Sequence, residues 1–164
     1  GSGSAAILLC DRKLSQTGHR LLGGNFQTDT SSHELCAGGV EAQKHGDHRP
    51  RMQTDSESLL VAGVNLAIPT WEQTKTTLGW KNEDVNRVFT HQVGKAHRKL
   101  LLEKLGLDTS LDYPTVETLG NTGAAALPMA WALGIENQIL QEQDRIALLG
   151  IGSGLNSLML GVQW

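Results

Sequence analysis

The chain has 164 residues, 39% of them hydrophobic and 19% charged, with 19 glycines and a formal net charge of −3. That is one globular domain with room for a real core. The slight acidity excludes the broad basic surface of a nucleic-acid binder, so no nucleic-acid partner is expected. No apolar run approaches the 18 residues of a membrane span, and Cys10 and Cys36 are too few for a disulfide framework. The reading is a cytoplasmic chain with reduced thiols.

The first residues, Gly1-Ser2-Gly3-Ser4, are linker-like and run straight into Ala5-Ala6-Ile7-Leu8-Leu9. Residues 3–10 therefore read as a short apolar strand. Residues 20–28 read as a second strand, with Gly23 and Gly24 suggesting a bulge. From 29 to 56 the chain is polar and without periodicity, which reads as an exposed excursion. His45 and His48 flank Asp47 there, but three such residues in a polar loop fit solvent better than a metal.

Thr54 or Asp55 can cap a helix that carries Leu59, Leu60, Ala62, Gly63, Leu66 and Ala67 at helical spacing. Pro69 is expected to kink or break it, with helix resuming through Trp71 to Leu78. Residues 86–90 read as a buried strand ending at His91. A helix from about 93 to 105 follows, stopped by Gly106. Tyr113 to Glu117 read as strand, 119–123 as a loop, and Ala124 to about Ile139 as an Ala-rich helix. Residues 145–151 and 156–163 are apolar strands around the turn Gly152-Ser153-Gly154.

Strands alternating with helices imply an α/β fold: a layered α-β-α unit with a mixed, mostly parallel five-stranded sheet. Its strand ends then line one edge, the usual place for an α/β site. His91, Asn121 and Gly152-Ser153 all follow predicted strand ends. Taken singly each has a plain reading: a packed histidine, a turn asparagine, a tight turn.

Their order and spacing carry more. His91-Gln92-Val93-Gly94-Lys95, then Gly120-Asn121-Thr122-Gly123-Ala124-Ala125, then Gly150-Ile151-Gly152-Ser153-Gly154 resembles the C-terminal half of ketoacyl-acyl-carrier-protein synthase III, a thiolase-like condensing enzyme. The tail from Leu148 to Trp164, and Met52-Gln53-Thr54-Asp55-Ser56-Glu57, resemble the olefin-pathway acyl-CoA condensing enzymes of the same superfamily. On this resemblance residues 1–164 form one C-terminal thiolase-like domain, and residues 1–11 match the last strand of a first half that precedes it.

The resemblance implies an acyltransferase that performs Claisen condensation of acyl-CoA or acyl-carrier-protein thioesters in fatty-acid or lipid biosynthesis. It implies no cofactor and no metal. His91 and Asn121 would hold the thioester carbonyl oxygen of the second substrate. Two fixed N–H donors suit the charge that develops on an enolate oxygen, and a neutral imidazole can supply one of them. Gly152 and Ser153 match the loop whose backbone N–H lines the other oxyanion hole. Ser153 departs from the Gly often found there, and a backbone donor tolerates that change. As a nucleophile Ser153 lacks the strand-to-helix elbow.

The family's cysteine nucleophile lies in the first half, and neither Cys10 nor Cys36 is preceded by the context that activates a thiol. The isolated chain is therefore expected to be inactive, and to self-associate or bind a cysteine-bearing N-terminal half through an exposed apolar face. The alternative is a non-catalytic acyl-CoA or carrier-protein binding or scaffold module that keeps the fold.

Overall fold

The computed structural model describes residues 2–39 and 51–164. The tract His45 to His48 lies outside them.

Strand β1 runs Arg20–Thr28, and a short 3-10 helix at Thr30–Leu35 follows. Strands β2, Cys36–Gly39, and β3, Arg51–Thr54, pair antiparallel as a separate ribbon with Cys36 opposite Thr54. Helix α1, Ser56–Leu78, then crosses the main sheet. Strand β4 is Arg87–Thr90, α2 is Lys95–Leu105, α3 is the single turn Val116–Leu119, and α4 is Ala126–Glu136. Strands β5, Arg145–Gly152, and β6, Asn156–Gln163, close the chain as a hairpin.

The main sheet has the order β1-β6-β5-β4. The α/β class and the mixed sheet stand as expected, but the strand count and the parallel bias do not. Among the described residues four strands make the main sheet in place of five, and only β4 and β5 pair parallel there. The reasons are local. A three-residue turn between β5 and β6 forces an antiparallel pair, and β1 lies antiparallel on the far side of β6. The segment from Tyr113 to Glu117 is no strand. The residue before it, Asp112, makes one parallel bridge against Val88, and Pro114 and the turn into α3 follow; proline has no N–H to extend a ladder. Residues 3–10 also form no strand among the described residues, and Leu8 is 91% exposed.

Helix α1 starts where Asp55 accepts the Ser58 N–H at 3.0 Å and ends on the left-handed Gly79. It runs unbroken through Pro69, contrary to the expected break. Asn65, whose carbonyl loses its partner at Pro69, lies with Pro69 on the exposed side. The opposite stripe of Gly63, Val64, Ala67, Thr70, Trp71 and Thr74 is buried and holds the helix to the sheet. Burying Trp71 outweighs one lost bond on the wet face.

Alternation along β5 sorts the core. Ala147 and Leu149 face α1 and α2 with Val88, Leu101, Leu102 and Met159. Ile146 and Leu148 face α4 with Phe89, Ala130 and Val162. Gly134 lets α4 approach, since a Cβ there would come within 2.7 Å of the Phe89 ring. The α-β-α layering leaves the C-terminal ends of the parallel strands β4 and β5 open along one edge.

Candidate active site

His91 is the first residue past β4. Its backbone N–H donates to the Leu149 carbonyl at 3.0 Å, which sets it level with Gly150 on β5. The ring is half-buried, and that burial holds its pKa below the ordinary histidine value. The imidazole is therefore neutral at physiological pH and keeps one N–H to donate.

Asn121 sits in the turn after α3, between Gly120 and Gly123, both at positive φ. Its side-chain oxygen accepts the Gly123 N–H at 2.9 Å. That bond fixes which end of the amide is oxygen, so the NH2 group is left as a donor without a partner among the described residues. Gly152 and Ser153 are exposed at the end of the β5–β6 hairpin, on the same sheet edge as His91. The Ser153 carbonyl accepts from the Asn156 side chain at 3.1 Å, and Asn156 in turn accepts the Thr28 hydroxyl at 2.9 Å. These bonds tie the turn to β1. Among the described residues the Ser153 backbone N–H has no partner.

Three buried polar residues around the site were not evident in the sequence, and two of them act as supports. Gln92 follows His91 in the chain and has 2% of its surface exposed. Its Oε1 accepts the backbone N–H groups of Thr115 and Val116, and its Nε2 donates to the carbonyl of Thr90. Asp112 is the second support. It takes the Arg98 guanidinium as an ion pair, the backbone N–H of Thr90 at 3.2 Å and the Thr90 hydroxyl. Burial pushes the Asp112 carboxyl up, against Arg98 and Thr90, which pull it down. The third residue is His97, 8% exposed on α2, its Nδ1 without a partner among the described residues. Burial lowers its pKa, and charge on nearby His91 lowers it further. Only Gln92 adjoins a site residue in the chain; Asp112 and His97 come to the site through the fold.

Cys10 is exposed and Cys36 half-buried in β2, both as free thiols. Neither opens a helix. Among the described residues no group of three His, Cys, Asp or Glu side chains could hold a metal. No helix there is long and apolar enough to cross a membrane.

Residues 76–164, more than half of the chain, match the family model described as 3-Oxoacyl-[acyl-carrier-protein (ACP)] synthase III C terminal. The chain belongs to that family. All of the chain aligns with an acyl-CoA:acyl-CoA alkyltransferase of Shewanella oneidensis at 39% identity, covering 48% of that relative. It also aligns in part with a beta-ketoacyl-[acyl-carrier-protein] synthase III of Clostridium tetani, at 26% identity over 69% of this chain and 34% of the relative. Among solved structures it superposes on a Xanthomonas campestris OleA variant with bound lauric acid and lauroyl-CoA. That match has a TM-score of 0.82 and 34% identity, and it covers 93% of this chain and 42% of the other. The fold is thus the thiolase-like one of the condensing enzymes. The chain spans about half the length of the curated relatives it matches.

Proposed function

We propose that this domain is the C-terminal half of an acyltransferase that joins two acyl thioesters by Claisen condensation. His91 and Asn121 hold the carbonyl oxygen of the second thioester while its α-carbon becomes a carbanion, either by losing a carboxylate as carbon dioxide or by losing a proton to a base. The carbanion attacks the acyl group on a cysteine supplied by an N-terminal half, and the thiolate leaves. Gly152 and Ser153 offer backbone N–H groups to the oxygen of that acyl-cysteine. The carrying observation is a half-buried His91 at a strand end, on the edge that also bears the β5–β6 turn; its burial lowers its pKa, which favours the neutral ring. The Gly123 bond to Asn121 supports the reading by leaving an N–H donor free. Donors already in place stabilise an oxyanion without reorganising, and losing one costs about 10²–10³ in rate.

The exposed Ile7, Leu8, Leu9, Phe26 and Leu158 support a first half, or a second copy, packed on this domain. Phe26 and Leu158 are direct cross-strand partners on β1 and β6, so they form one patch. Relatives named for acyl-CoA and for acyl carrier protein make either thioester a candidate substrate.

The test is reconstitution. The chain is produced alone and together with a cysteine-bearing first half, and acyl-CoA is supplied. Coenzyme A release and a 3-oxoacyl product are expected from the pair only. Cysteine-dependent release by the chain alone would sink the two-half reading. Acyl-CoA binding without turnover by the pair would favour a non-catalytic module.

A further inference from the structure

We infer that Gln92 is the positioning residue that sets the spacing between His91 and Asn121. This rests on the proposed role of that pair and extends it to a residue that touches no substrate.

The geometry is a bridge built from one side chain. On one side, Nε2 of Gln92 donates to the Thr90 carbonyl at 3.0 Å and to the Thr90 hydroxyl at 3.2 Å. Thr90 is the last residue of β4 and the immediate neighbour of His91. On the other side, Oε1 accepts the N–H of Thr115 at 2.9 Å and that of Val116 at 3.1 Å. These two residues open α3, whose single turn leads through Gly120 to Asn121. One amide therefore joins the strand end that carries His91 to the turn that delivers Asn121.

Its strength follows from burial. Gln92 is 2% exposed, so water cannot replace a lost bond, and each unpaired backbone group would carry its full desolvation cost. A carboxamide is the neutral group that donates at one end and accepts at the other. The rest of the link is thin: among the described residues β4 meets this segment by one backbone bridge and the Tyr113 N–H on the Val88 carbonyl. Asp112 anchors the same segment to Thr90, yet three residues earlier than Thr115 and on the side of Arg98. Among the described residues, the buried bonds nearest Asn121 that reach this segment from the end of β4 belong to Gln92; the Lys95–Glu117 ion pair lies one residue further on but is solvent-exposed.

A residue acting this way affects rate more than binding. Misplacing a catalytic donor by about 1 Å costs up to about 10²-fold. Gln92→Met keeps the size and apolar stem but removes all the bonds. Gln92→Glu keeps the acceptors and serves as the second variant if Gln92→Met fails to fold.

The test measures kcat and KM for acyl-CoA condensation in the assembled two-half enzyme, for each Gln92 variant and for His91→Ala and Asn121→Ala. The amide NMR spectrum of the chain itself is recorded alongside. Gln92→Met is expected to lower kcat about 10- to 100-fold with KM within about twofold. Gln92→Glu is expected to fall between it and the wild type. Adding Gln92→Met to Asn121→Ala is expected to cost little more, because the donor it positions is already gone. In the spectrum the amides of residues 120–123 are expected to shift or broaden while those of β6 hold. Full kcat in Gln92→Met, or unchanged 120–123 amides, overturns the inference while leaving the pair intact. Full activity in His91→Ala and Asn121→Ala overturns the reading of the pair itself.

Discussion

His91 hangs from Leu149 by a single backbone hydrogen bond of 3.0 Å, one residue beyond the last pair of β4 and β5. The site histidine is thus placed by the parallel junction of β4 and β5. Whatever loosens that junction loosens the site, and the first predictions concern what braces it.

Asp112→Ala removes the brace on Thr90. The carboxylate side chain is fully buried and Arg98 three-quarters buried, so truncation leaves a mostly desolvated guanidinium without its partner. A loss of about 3 kcal/mol is expected, the lower end for breaking a buried pair. Urea unfolding of the variant checks it. A change under about 0.5 kcal/mol would mean that the pair contributes nothing net.

The histidines predict an acid limb in stability. Burial lowers the pKa of both His91 and His97 in the folded chain, so the unfolded chain binds protons that the folded one refuses. Their contribution is complete above the unfolded value of about 6.5 and is lost as pH falls from there through the lowered folded values. Unfolding midpoints at pH 7.5 and 5.5 should show the loss, and His97→Leu should show less of it. An equal loss in the variant would remove His97 from this explanation.

Gly24→Ala tests the outer edge of the sheet. A Cβ at Gly24 would lie 2.0 Å from the backbone oxygen of Met159 on β6, which cannot rotate away. Destabilisation of about 1–3 kcal/mol is expected, as for overpacking. Hydrogen exchange should locate it in β1 and β6. Wild-type stability would mean that β1 sits elsewhere in solution.

Much of this fold was legible in the chain. The apolar runs at 145–151 and 156–163 and the bulged strand at 20–28 appear within a residue of where they were expected, and the bulge falls between Leu21 and Gly23. Pro69 misled because the rule against proline weighs one backbone bond, while Trp71 and its stripe weigh a whole buried face. The strand expected at 113–117 failed on Pro114, and the ribbon of β2 and β3 was hidden in a polar tract without alternation. His91 and Gly152-Ser153 were visible as residues after strand ends, whereas Asn121, expected after a strand at 113–117, follows the single helical turn of α3. Gln92 was not visible, because its acceptor bonds go to backbone groups 23 and 24 residues away. Only the fold brings those together, and no residue type announces them.

The most direct measurement follows both half-reactions in the assembled enzyme, using intact mass for acylation of the cysteine and product release for condensation. If His91 and Asn121 form the second-thioester hole, His91→Ala and Asn121→Ala should still acylate the cysteine. Their condensation should then fall about 10²–10³-fold, so that the acyl-enzyme accumulates. Condensation at the wild-type rate in both variants would contradict the role assigned to the pair.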